Sequence, residues 1–138
     1  MEPVADRAIR TTLAQCDARI SGPAELSILL TNDAAQRELN LKWRDKDTST
    51  NVLSFPAIDP FGAISGMIGD ISLARETLER EANDLDKPFD HHFTHLIVHG
   101  FLHCLGYDHE KEQDALVMEG LETQILSVLA IDDPYAQN

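Results

Sequence analysis

Three histidines stand at a spacing that can hold a metal ion. Within HLIVHGFLHCLGYDH, residues 95–109, His99, His103 and His109 form the pattern H-x3-H-x5-H. On a helix, residues four apart share a face, about 5–6 Å apart at Cβ. Two imidazoles there can converge on one ion, and zinc binds imidazole nitrogen at about 2.0–2.1 Å. The third ligand must come from beyond the helix, after the chain has turned back. Gly106 supplies the turn, and Tyr107-Asp108 carry the chain to His109. Three neutral imidazoles leave one tetrahedral position open, which marks a catalytic rather than a structural zinc. Water bound there has a pKa near 7, so hydroxide is available at neutral pH.

The spacing also matches metzincin proteases, H-E-x-x-H-x-x-G-x-x-H, at His99, His103, Gly106 and His109. The glutamate position is Gly100. In those proteases the glutamate activates the zinc-bound water. Glycine has no side chain for that task, so peptide hydrolysis by that route is not expected, while metal binding is untouched. Cys104 directly follows His103, and adjacent helix positions point about 100° apart, which removes it from the ligand set. His95 shares the face of His99 and is given a noncoordinating role. His91 and His92, near the helix start, are expected to be solvated.

The elements that must position this motif follow from periodicity. Residues 4–19 read as an amphipathic helix, broken by Ser21-Gly22-Pro23. Residues 24–32 read as a strand, after which Asn32 or Asp33 caps a helix running to about Trp43. A polar loop, 44–50, leads to a strand at 51–57, a loop at 59–66 and a strand at 67–74. Ser72 is expected to help start the next helix, which continues to about Leu85. Further helices are expected at 89–105, ended by Gly106, and from about Glu112 to Leu129. The tail after them reads as loose. The expected fold is α+β: a mixed β-sheet packed with about five helices, one domain over residues 1–138 with a metal-binding cleft.

Composition bounds the function. The chain carries 43% apolar and 25% charged residues and a net charge of −13. That charge argues against broad, nonspecific nucleic-acid binding. A local basic stretch remains: Arg37, Lys42, Arg44 and Lys46, with Arg75 and Arg80 further on. Two cysteines, Cys16 and Cys104, without CxxC pairing read as reduced thiols. No apolar run reaches the roughly 18 residues of a membrane span, and the first ten residues do not read as a signal peptide. A cytoplasmic location without membrane contact is expected.

HGFLHCLGYDH, residues 99–109, resembles the signature of the YbeY family, in which glycine follows the first histidine. WRDKDTSTNVLSFP, 43–56, resembles that family's second signature. GDISLA, 69–74, and MEGLETQIL, 118–126, resemble its Gly-Asp strand and its C-terminal helix. The family's usual strand ahead of the first helix is not expected, because the helical pattern begins almost at once. Cys104 stands where leucine is more usual, and Ala130-Ile131 where Leu-Gly is.

The resemblance implies a single-strand-specific, metal-dependent endoribonuclease acting in 16S rRNA 3′-end maturation and ribosome quality control. It implies contacts with the small ribosomal subunit and its proteins, and with an Era-like GTPase. His99, His103 and His109 are the expected ligands of one Zn²⁺ per chain, other divalent transition metals being possible. Arg44 matches the signature arginine, so its planar guanidinium is expected to contact phosphate oxygens and stabilise the charge of the transition state. Ser54 and Phe55 are candidates for the cleft lining. Asp70 and Asp108 are candidates to accept the second N–H of a metal-bound imidazole. The alternatives are another zinc hydrolase with metzincin-like spacing but no catalytic glutamate, and a ribosome-assembly factor with a structural metal.

Overall fold

The computed structural model describes residues 2–16 and 20–135. Its elements run α1 (Glu2–Gln15), β1 (Ile20–Thr31), α2 (Asp33–Arg44), β2 (Val52–Pro56), β3 (Ile64–Ala74), α3 (Arg75–Asp84), α4 (Phe89–Leu105) and α5 (Glu112–Val128). The sheet order is β1-β3-β2, with β1 parallel and β2 antiparallel to the central β3. The mixed sheet with five helices is the expected α+β class.

α4 is the axis of the molecule. Residues Phe93, Ile97, Val98, Phe101 and Leu102 are fully buried against Leu78 of α3, Ile71 and Leu73 of β3, and Met118, Ile125 and Leu126 of α5. A helix covered by α1, α3, α5 and the sheet must be apolar on several sides at once. Among its buried positions only His92 and Thr94 are polar.

Adjacent strand residues point to opposite faces. Ile71 and its cross-strand partner Ser54 face α4, while Ser72 faces α2. α2 begins at Asn32, whose side chain accepts from Ala35 N at 2.8 Å, as expected of that residue. It ends at Arg44, with Asp45 in the left-handed region at φ 55°.

Several expectations need correcting. Ser21-Gly22-Pro23 does not lie between elements but inside β1, which starts at Ile20. β1 is an edge strand, and its register shifts between Ile20 and Ala24, a place where proline costs no ladder bond. The first helix starts at Glu2, and residues 17–19 of the expected span lie outside the described residues. β3 starts at Ile64, within the expected loop. Ser72 caps nothing: it is buried in β3, its Oγ donating to Gln36 Oε1 while Gln36 Nε2 donates to its carbonyl at 2.8 Å. The part of the tail that is described is not loose, since Asp133 accepts from Thr123 Oγ1 at 3.0 Å. Among the described residues no helix is long and apolar enough to cross a membrane.

Candidate metal centre

α4 carries His99 and His103 one turn apart, and its last turn ends where expected. Gly106 has φ 119°, a conformation that side chains disfavour. A Cβ there would lie 2.8 Å from Pro60 Cα and Phe61 N, so glycine is required by space as well. Phe61 N donates to Leu105 O at 2.8 Å, and its ring meets Tyr107 edge-on at 5.0 Å. The β2–β3 loop thus clamps the turn that returns His109 to the helix.

The three predicted ligands meet. His103 Nε2 lies 3.1 Å from His99 Nε2 and 3.0 Å from His109 Nδ1, and all three ligand atoms fall within 4.8 Å of one another. Ligands about 2.0–2.1 Å from a tetrahedral ion stand roughly 3.3 Å apart, close to the two edges that meet at His103. The tautomers suit such an ion. His99 Nδ1 faces Glu122 Oε1 at 2.9 Å, and His103 Nδ1 faces the Tyr107 carbonyl at 3.0 Å. Both partners only accept, so both Nδ1 atoms carry the proton and both Nε2 lone pairs face the centre. Burial, then the neighbouring His99 and His109, lower the His103 pKa to about 4, which keeps that ring neutral. The cluster can therefore bind a metal ion.

Asp70 and Asp108 do not hold the imidazoles. Asp108 Oδ1 accepts from the His109 backbone N–H at 2.7 Å, and Asp70 neighbours Phe55 on the sheet face turned away from α4. The carboxylate in that role is Glu122 of α5, wholly buried, which sequence reading did not single out. It accepts from His99 Nδ1, from His95 Nε2 at 3.1 Å and from Tyr135 Oη at 2.8 Å. Burial pushes its pKa up, but the hydrogen bonds from His95, His99 and the Tyr135 hydroxyl outweigh it and hold it down to about 2. A signal was present: Met118, Glu122 and Ile125 share a buried stripe, and an acid on such a stripe needs partners.

His95 sits beside the centre, bonded to Glu122 and outside the three-nitrogen cluster. His92 is not solvated. It is buried where α3 crosses α4, with Nε2 2.9 Å from Glu81 Oε1. Cys104 is buried, and burial, then Asp70, raise its thiol pKa to about 12.

Arg44 does not join the histidines. It stays exposed at the end of α2, donating from Nη2 to the Ser54 carbonyl at 2.6 Å, its guanidinium 5.4 Å over the Phe55 ring. Ser54 links the two regions. A Cβ on Gly100, next to His99, would lie 3.0 Å from Ser54 Oγ and 3.2 Å from Ile71 Cγ2. A side chain there would press on Ser54 and Ile71, so glycine suits the close approach of α4 to the sheet.

Comparison with known proteins identifies the family. Residues 2–130 match the family model described as Endoribonuclease YbeY. A relative of that name from Agrobacterium fabrum is 60% identical over 116 residues, covering 83% of this chain and 69% of its own. One from Nitrobacter hamburgensis is 54% identical over 140 positions, covering 98% of this chain and 73% of its own. The solution structure of TM1509 from Thermotoga maritima superposes with a TM-score of 0.59, covering 99% of this chain and 91% of that one. At 20% identity it speaks for the fold alone. A family model that spans almost every element described above, joined by relatives more than half identical, places this chain in the YbeY endoribonuclease family.

Proposed function

We propose that this chain is a single-strand-specific, metal-dependent endoribonuclease that matures the 3′ end of 16S rRNA and serves ribosome quality control in the cytoplasm. Residues 1–138 form its one catalytic domain. The observation that carries the reading is the convergence of three imidazole nitrogens, with the tautomers of His99 and His103 fixed from behind. The relatives' name, Endoribonuclease YbeY, supports the substrate class. The small ribosomal subunit, its proteins and an Era-like GTPase are the partners we infer from the family.

We assign His99, His103 and His109 as ligands of one ion per chain, with zinc first by donor type and nickel, copper or iron next. Such an ion polarises a phosphoryl oxygen or makes a bound water acidic enough to ionise near neutrality. The chain's own residues do the rest. Glu122 and the Tyr107 carbonyl hold the rings. Arg44 offers a planar fork to two phosphate oxygens. Its place on the Ser54 carbonyl, across β2 from Gly100, supports contact with a phosphate on the same strand as the one cleaved. The protease alternative is disfavoured by the packed space at Gly100.

The test compares single-stranded and duplex RNA cleavage by the wild type, His103→Ala and Arg44→Ala, with metal content and melting measured on each. Arg44→Ala is expected to keep its metal and fold and to lose cleavage by about 10²–10³, the cost of one preorganised contact. His103→Ala is expected to lose both metal and cleavage. Wild-type rates in either variant would overturn the corresponding role.

A further inference from the structure

The sheet face turned away from α4 carries a second cavity that the metal chemistry does not use. It encloses about 360 Å³ beneath the last turns of α2. Its walls include Leu29 of β1, Leu39 and Trp43 of α2, and Phe55 of β2, with Ser27 and Asp70 among the polar lining. Trp43 is 60% exposed and Leu29 51%. Two large apolar side chains open to solvent around one aromatic-lined hollow mark a binding place rather than incidental surface.

Cations border the same rings. Lys42 Nζ lies 5.0 Å over the Trp43 ring, and the Arg44 guanidinium 5.4 Å over Phe55. In a chain of net charge −13, that is a local attraction for an anion beside flat aromatic walls. Asp70 would repel a phosphate inside the cavity, but its carboxylate accepts from an amino or imino N–H. The occupant is therefore flat and apolar in body, carries N–H donors on its far edge, and bears its negative charge outside. A nucleobase with its own phosphate at the rim has those properties.

The place in the fold gives the strand its path. β2 is an edge strand, and its neighbours Ser54 and Phe55 point to opposite faces. Ser54 abuts Gly100 beside His99, while Phe55 lines the cavity and Arg44 sits on the Ser54 carbonyl between them.

We propose that this cavity is a nucleobase subsite: one base of the single-stranded RNA stacks between Trp43 and Phe55, its phosphate at Arg44, while the chain crosses β2 towards the histidines. The inference rests on the nuclease reading and adds how an acidic protein holds its substrate. Base stacking is sequence-tolerant and less dependent on global charge than backbone contact.

Trp43 is the only tryptophan of the chain, so its emission reports this cavity alone. The experiment titrates metal-free protein with a labelled 2′-O-methyl RNA that cannot be cleaved at its 2′ position. Strand anisotropy and tryptophan emission, corrected for absorbance, are read together. Saturable quenching of Trp43 in step with the anisotropy is expected. Trp43→Ala is expected to weaken binding about 5- to 150-fold, the range for one stacked base, and Trp43→Phe to restore most of it. A strand abasic at one position is expected to reproduce the loss. Binding by anisotropy with silent Trp43 emission, or unchanged affinity in Trp43→Ala, overturns the subsite and leaves the nuclease reading standing. Cleavage of unmodified RNA by the metal-loaded wild type tests that reading separately, and absence of both binding and cleavage overturns both.

Discussion

Replacing Glu122 by glutamine tests what the buried carboxylate does for the metal. The swap keeps volume and removes one charge. Glu122 accepts from His99 at 2.9 Å, from His95 at 3.1 Å and from Tyr135 at 2.8 Å. A glutamine has one acceptor oxygen and an NH₂ that must donate. Without metal, His99 adapts by moving its proton to Nε2 and accepting the amide N–H at Nδ1. The apo fold is then nearly as stable as the wild type. The proton now sits on the atom that must face the ion, and binding has to undo that arrangement. One charge-assisted hydrogen bond is worth about 1.5–3 kcal/mol. Supporting partners of metal-bound histidines carry about 10- to 100-fold in affinity, roughly 1.4–2.7 kcal/mol. The two ranges agree. The assay is competition with a chromogenic chelator for zinc, beside melting curves of apo and loaded protein. Weaker affinity with a preserved apo melt is expected, and a smaller rise in Tm at fixed zinc. Affinity within twofold of the wild type would refute the reasoning. So would a loss confined to apo stability, which would make Glu122 a packing residue only.

Gly106→Ala forces a Cβ to within 2.8 Å of Pro60 Cα at a left-handed φ, so thermal melting should fall and elemental analysis should show lost metal as His109 shifts. Gly100→Glu, which completes the metzincin motif, must drive a carboxylate against Ser54 and Ile71. It should destabilise the chain by about 3–5 kcal/mol in denaturant unfolding and yield no peptidase activity. Asn32→Ala removes the side-chain cap of α2 and should cost about 1 kcal/mol in the same measurement, with metal content unchanged.

What was legible in the sequence was local. The span of α4, its end at Gly106, the Asn32 cap and the convergence of three histidines all follow from periodicity, capping and glycine geometry over a few residues. What was missed depends on contacts between distant segments. Asp108 looked like a partner for an imidazole because it adjoins His109, yet it bonds a backbone N–H. Glu122 holds that role because α5 packs on α4, which no local pattern states. His92 was read as solvated by its place near a helix start, and α3 covers it. Ser21-Gly22-Pro23 was read as the break after the first helix, and the sequence does not say that β1 is an edge strand that can take in a proline.

The loop that clamps Gly106 also sets how far this motif can travel. A peptide cut from residues 95–109 could wind two histidines onto one helical face. It would have nothing to stop the third from wandering, because the stop is supplied by Pro60 and by the Phe61 N–H on the Leu105 carbonyl. Transplanting the motif into another helix would move the ligands without their splint, and closing the free turn would then draw on chain entropy at every binding event. During folding, the ion meets a finished triangle only after the β2–β3 loop has docked.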